Sequence, residues 1–293
     1  MSPDINPNMQ SGSNLDKVRS VFFISDSTCI TAQHLGRALL TQFKFIRFTQ
    51  QTYRFVHNAE RAQAVVAQIN RAAAEDGQQP LIFCTMTDPE LRAMIRTSNG
   101  VFFDLFETFV AQIEQALQAD AVPTKGHSHG MTDRDQYFER MEAVNFTLNH
   151  DDGSAISQLN QADIILLGIS RTGKTPTCLY LSLNYSIRAA NFPITEDDLE
   201  DLKLPKSVEP LRTKLFGLTT SPERLRHIRQ ERLPNSRYAS LAQCEYEIRQ
   251  SEALFRRYRI PYLDTTAVSI EEIAANIVDM AALEHRKTPP TPN

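Results

Sequence analysis

Two periods organise the apolar positions of this chain. Short apolar runs of strand length alternate with longer stretches in which apolar residues recur three or four apart, the spacing of a helix face. Val21–Ile24 is the first such run, and a helical pattern over 31–42 follows it. Phe43–Phe48 alternates like a strand. Asn58 is placed to cap an alanine-rich helix that reaches Asp76 and stops at Gly77 and Pro80. Strands are then expected over 81–85 and 101–103, with helices opening at Asp88-Pro89 and running over 106–119.

After a polar, glycine-rich stretch, Thr132 and Asp133 are placed to cap a helix to about Asn149, ended by His150-Asp-Asp-Gly153. The pattern resumes with a strand at Ile164–Leu167 and a helix after Gly173. Further strands are expected at 215–218 and 261–263, and helices at 222–230, 241–258 and 270–284. Strands alternating with helices indicate the α/β class. The expected layout is an N-terminal open α/β sheet domain over 20–122 and a bridge with a helix over 123–160. A phosphate-loop α/β domain is expected over 161–285, with a flexible N-terminus at 1–19 and a flexible tail at 286–293.

Composition changes this picture little. The chain has 293 residues, 41% of them hydrophobic and 23% charged, as in an ordinary globular protein. A net charge of −4 argues against attachment to nucleic acid or an anionic membrane. No apolar run approaches the roughly eighteen residues of a membrane span, and no signal-like segment opens the chain, so a cytoplasmic location is expected. Cys29, Cys84, Cys178 and Cys244 form no CxxC pair and read as reduced, buried thiols.

The chemistry is concentrated in Gly168-Ile169-Ser170-Arg171-Thr172-Gly173-Lys174-Thr175, which matches the phosphate-loop pattern GxxxxGK[ST] between a strand and a helix. In such a loop glycines let backbone N–H groups turn toward phosphate oxygens, and the helix N-terminus adds its dipole. Lys174 supplies a point charge and Thr175 a hydroxyl for Mg²⁺. Lys174 is expected on the exposed loop. The competing interpretation is a plain glycine turn with a surface lysine.

Other residues are weaker candidates. Asp151-Asp152, on a glycine turn before the strand, suit metal coordination or proton abstraction, or form a solvated helix end. Asp264 is the sole tolerable match to an acidic residue ending a second strand. Arg171 lies in the loop, while Arg188 and Arg237 sit in polar breaks and offer a second anion site. His127 and His129 lack a third ligand at metal spacing. Ser25-Asp-Ser-Thr28 is a hydroxyl-rich turn at a helix start without a dinucleotide fingerprint.

Several segments together resemble a known family, the phosphoenolpyruvate synthase regulatory proteins, relatives of the pyruvate, phosphate dikinase regulators. They are Phe23-Ile-Ser-Asp-Ser-Thr-Cys-Ile-Thr-Ala32, Glu142–Gly153, Gly168-Ile-Ser-Arg-Thr-Gly-Lys-Thr-Pro-Thr177, Leu179-Tyr-Leu, Ile187–Pro193 and Asn235-Ser-Arg-Tyr-Ala-Ser240. Glycine at 173 is similar to the synthase branch, whereas the dikinase branch tends to carry serine. The resemblance implies a bifunctional enzyme. As an ADP-dependent kinase it would move the β-phosphoryl group of ADP to a threonine of the synthase; as a phosphorylase it would use inorganic phosphate to remove that group as pyrophosphate. It also implies a homodimer and a nucleotide site over Gly168–Thr175. Lys174, Arg171 and one of Asp151 or Asp152 are the expected catalytic residues. Alternatives are the same activities on the dikinase, a small-molecule kinase or nucleotide hydrolase, and a nucleotide-gated binding module without transfer.

Overall fold

A computed structural model of the chain describes residues 18–121, 134–151, 156–281 and 283. The chain divides between residues 130 and 131 into two compact units.

The first unit is a four-stranded parallel sheet. Its strands are β1 (Val18–Ile24), β2 (Arg47–Tyr53), β3 (Leu81–Cys84) and β4 (Val101–Asp104), in the order β2-β1-β3-β4. Helices α1 (Ile30–Leu40), α2 (Ala59–Asp76), α3 (Pro89–Arg96) and α4 (Glu107–Leu117) connect and follow them. β1 is central and fully buried from Val21 to Ile24, which is why it reads as an unbroken apolar run. Val21, Phe23 and Phe83 pack with Ala32 and Leu40 of α1. Phe22, Ile24 and Ile82 pack with Val65 and Ile69 of α2 and Ile95 of α3. The expected caps are present: the Asn58 side chain accepts from Arg61 N, and Gly77 ends α2 at φ +61°. The expected strand over 43–48 is corrected. Residues 43–46 form the turn, with Phe45 75% exposed, and the strand is the polar 47–53. As an edge strand paired only with β1, it lacks the apolar signature of its neighbours.

The second unit begins with α5 (Arg134–Asn149) and contains the strands β5 (Ile164–Gly168), β6 (Ala189–Pro193), β7 (Leu215–Thr219) and β8 (Tyr262–Asp264). All are parallel, in the order β6-β5-β7-β8. The remaining helices are α6 (Lys174–Tyr185), α7 (Glu196–Asp201), α8 (Pro222–Arg232), α9 (Leu241–Tyr258) and α10 (Ile270–Met280). α5 was expected to bridge two domains, and this is corrected: it belongs to the second unit. Thr147 donates to the Ala189 carbonyl at 2.9 Å and Asn191 N donates to the His150 carbonyl at 3.0 Å. The Thr132 and Asp133 caps lie outside the described residues.

From β5 the chain crosses to β6 on one side and then returns past β5 to β7 on the other. The strand order therefore reverses at β5, and the C-terminal end of that strand is where open α/β sheets form a ligand crevice. β5 is buried along its whole length and ends at Gly168.

Candidate phosphate site

The turn from β5 into α6 is built by conformations that few residues adopt. Gly173 lies at φ +92° and Arg171, unusually for a residue with a side chain, at φ +75°. Gly168 is constrained differently: a Cβ there would stand 2.7 Å from the Leu218 carbonyl oxygen of β7 and 2.8 Å from Thr172 Oγ1. Thr172 Oγ1 and Lys174 Nζ both donate to the Ile169 carbonyl, at 3.0 and 2.9 Å. Thr265 Oγ1 donates to the Thr172 carbonyl. The loop's carbonyls thus face protein donors. The N–H groups of Ser170, Arg171, Thr172 and Gly173 donate to no acceptor among the described residues. Four donors in sequence without a protein acceptor among the described residues, followed by the N-terminus of a twelve-residue helix, are the arrangement that suits an anion.

Lys174 was expected on an exposed loop, and this is corrected: it is 5% exposed. The side chain folds beneath the turn, where its bond to the Ile169 carbonyl satisfies a charge that burial would otherwise disfavour. A hollow of about 310 Å³ opens over the loop, bounded by Ser170, Arg171, Lys174, Thr175, Asn191 and Arg232 among others.

A polar triad flanks the loop. Thr175 Oγ1 donates to Asp151 Oδ1 at 3.0 Å, and Asn191 Nδ2 lies 2.6 Å from the same oxygen and 3.0 Å from Thr175 Oγ1. Three elements meet there: the turn after α5, the first turn of α6 and the middle of β6. Asp151 is thereby brought to the loop as expected, while Asp152 lies outside the described residues, as do His127 and His129. Beneath α6, burial pushes the Cys178 thiol well above its ordinary pKa; the Asp151 charge adds to the shift and Lys174 opposes it.

Behind the loop stands a buried arginine that sequence reasoning missed. Arg229 of α8 is fully buried and donates from both terminal nitrogens to the two carboxylate oxygens of Glu247, at 3.1 and 2.6 Å. It also donates to the Ser170 carbonyl at 3.2 Å and the Tyr238 carbonyl at 3.0 Å, and lies 4.0 Å over the Tyr238 ring. Tyr238 closes the circuit, its hydroxyl 2.8 Å from Ser170 Oγ.

Three expected site residues are placed otherwise. Arg188 precedes β6 and pairs with Asp163, which precedes β5; both stand at the N-terminal ends of their strands, about 13 Å from the loop at strand rise. It is removed from the anion site. A hollow of about 420 Å³ lies at that end of the sheet; on its wall Asp163 is bonded to Arg188 and Lys214 to the Asn160 and Ala162 carbonyls, and Arg212 and Arg259 also line it. Arg237 stands at the correct end, beside Tyr238, but pairs with Glu196 at 2.7 Å. Asp264 accepts from the Thr266 backbone N–H and hydroxyl, and so caps its own turn. In the first unit, Asp26 accepts from Thr87 N, Thr87 Oγ1 and Asp88 N, which ties the ends of β1 and β3 together.

The model of the family described as kinase/pyrophosphorylase matches residues 21–278. A relative from Pseudomonas aeruginosa is 50% identical over 268 residues, covering 92% of this chain and 98% of its own length. One from Ectopseudomonas mendocina matches equally, and one from Hahella chejuensis is 49% identical over 266 residues, covering 91% and 98%. Each is named as a candidate phosphoenolpyruvate synthase regulatory protein. On the extent of the family match and the identity to these relatives, the chain belongs to the kinase/pyrophosphorylase family.

Proposed function

We propose that this protein is a bifunctional regulator of phosphoenolpyruvate synthase, an ADP-dependent threonine kinase and a phosphate-dependent phosphorylase that share one phosphate cradle. The single observation that carries the reading is the run of four N–H donors over Ser170–Gly173 that no described residue accepts from, with Lys174 folded beneath them. In the kinase direction the β-phosphoryl group of ADP occupies the cradle. The target threonine hydroxyl attacks its phosphorus, the new O–P bond forms as the bond to the bridging oxygen breaks, and AMP leaves. Asp151, held beside the loop by Thr175 and Asn191, accepts the hydroxyl proton.

In the opposite reaction inorganic phosphate takes the cradle. One of its oxygens attacks the phosphothreonine phosphorus, the threonine O–P bond breaks, the threonine oxygen recovers a proton and pyrophosphate leaves. Backbone donors and Lys174 serve both directions because both develop charge on phosphoryl oxygens. Thr175 and Asp151 provide the hard oxygen donors that suit Mg²⁺, which would supply further charge neutralisation. The same proposal has the protein act as a homodimer in the cytoplasm, a compartment that suits four free, buried thiols.

The test is incubation with phosphoenolpyruvate synthase and ADP labelled in the β-phosphate, followed by a chase with phosphate. Label should pass to a synthase threonine and then be released as pyrophosphate. Nucleotide binding without transfer would favour a nucleotide-gated binding module instead; transfer to pyruvate, phosphate dikinase alone would change the target.

A further inference from the structure

The cradle formed by Ser170–Gly173 suits one phosphoryl group, yet the ligands of the proposed reactions, ADP and pyrophosphate, carry two. A cation beyond the loop would complement the other group. The arginines around the site differ sharply in what holds them. Arg188 is bound to Asp163 at the far end of the sheet, Arg229 is buried on Glu247, and Arg237 is paired with Glu196. Arg232 differs from all three. Like Arg171 of the loop itself, it lines the hollow, is exposed, and makes no side-chain ion pair or hydrogen bond with any described residue; Arg171 belongs to the loop, and Arg232 is the cation that borders the hollow from outside it.

Its placement follows from the helix that carries it. Arg229 is fixed at the buried face of α8 by Glu247 and the Ser170 carbonyl, which sets the helix's rotation about its own axis. Ile228 and Arg232 are four residues apart and share a face, and both border the hollow that Lys174 and Thr175 also line. Ile228 contributes an apolar wall, and Arg232 a guanidinium suited to two oxygens of a phosphoryl group.

We propose that Arg232 is the second-phosphoryl contact of this site, binding the phosphate of ADP or pyrophosphate that lies outside the loop cradle. The assignment rests on the proposed phosphate site but does not require that phosphoryl transfer occur.

Isothermal titration of the full-length protein with pyrophosphate, ADP and orthophosphate tests it, comparing wild type with Arg232→Gln and Arg232→Lys. Loss of a charge-assisted contact should weaken pyrophosphate and ADP about tenfold or more, and orthophosphate less than about threefold. Arg232→Lys should recover part of the loss. The melting temperature should fall by no more than about 4 °C, because among the described residues the side chain has no bonded partner and serves the fold only as a cation in the last turn of α8. Affinities for ADP and pyrophosphate within about twofold of wild type in Arg232→Gln would overturn the assignment, and so would an equal loss for all three ligands. A wild-type protein that binds none of them overturns both this assignment and the proposed function. One that binds them with the expected Arg232 dependence, but transfers nothing to the synthase, overturns only the activity.

Discussion

Asp151 and Thr175 are joined by a 3.0 Å hydrogen bond from the threonine hydroxyl to Oδ1, across 24 residues of sequence. The bond fixes a carboxylate beside the loop of Ser170–Gly173 with no ion pair to it among the described residues, and Asn191 holds the same oxygen at 2.6 Å. Asp151→Asn keeps the size of the group and removes its capacity to take a proton. Both transfer directions should fall by about a hundredfold or more, the usual scale for losing a general base. ADP affinity should change far less, and the melting temperature by no more than a few degrees. Full activity of Asp151→Asn in both directions would remove the residue from the mechanism.

Lys174 invites a different substitution from the alanine that an exposed lysine would suggest. Because it is buried and bonded to the Ile169 carbonyl, truncation would open a cavity as well as remove the charge. Lys174→Met keeps most of the volume. It should lower phosphate affinity and both activities by about a hundredfold, since a charge-assisted contact is lost from a water-poor site. Persistence of phosphorolysis alone in this variant would mean that the two reactions use separate phosphate sites.

Arg229 and Glu247 are expected to matter for stability first. Burial alone would lower the arginine's pKa, but the bonds to Glu247 and its charge outweigh this and the net shift is upward. Removing one partner leaves a buried charge uncompensated, at a cost of about 3–5 kcal/mol. Glu247→Gln should therefore lower the melting temperature by about 6 °C or more. ADP affinity should fall with it, because the Ser170 carbonyl and Tyr238 lose their anchor. A thermal melt of Glu247→Gln within 2 °C of wild type would show the pair to be dispensable.

Much of this was legible in the chain itself, for local reasons. GxxxxGK[ST] between an apolar run and a helical stretch marks the turn from β5 into α6, and Asn58, Asp88 and Gly77 mark helix ends because capping is a short-range interaction. β6 escaped notice because Ala189–Pro193 is short and follows no alternation; its strand character comes from parallel pairing with β5, Ile164 to Ala189 through Gly168 to Pro193. α7 escaped although Thr195 and Asp198 form a capping box at its start. Arg229 and Glu247 are 18 residues apart on two helices, and nothing local distinguishes a buried arginine from a surface one. Arg188 was misplaced for the converse reason: proximity in sequence to a functional segment says nothing about which end of a strand a side chain occupies. Asn191 carried a readable signal, a lone amide inside an otherwise apolar strand.

The two glycines of the loop should respond differently to substitution. Gly168→Ala places a methyl group against a carbonyl oxygen of the neighbouring strand, so the backbone itself must move, at about 1–3 kcal/mol. Gly173→Ala meets no heavy atom within 4 Å, and its cost is conformational alone, because φ +92° disfavours any Cβ. Asparagine tolerates positive φ better than β-branched residues do. Gly173→Asn should therefore retain more stability and phosphate binding than Gly173→Val, whereas at Gly168 neither should be accepted. Equal losses for Asn and Val at position 173 would mean that space, not backbone angle, is limiting there.

Four buried thiols give the fold an alkaline limit. Burial pushes Cys29 and Cys84 up to about 12 from the ordinary value of 9.0, with Arg54 opposing the shift at Cys29. In the native state these thiols keep their protons between pH 9 and 12, while in the unfolded chain they lose them. Proton loss then favours unfolding: the stabilisation is complete below pH 9 and disappears as pH rises toward 12. Each such thiol contributes a slope of roughly 1.4 kcal/mol per pH unit in that window. The melting temperature should fall steeply between pH 9 and 11, and Cys84→Ala should fall less steeply over the same range. At pH 8 an alkylating reagent should leave all four thiols unmodified in the native protein and label all four in denaturant, since the native state offers neither access nor thiolate. Rapid native-state alkylation of Cys29 or Cys84 at pH 8 would contradict the burial on which the pH argument stands.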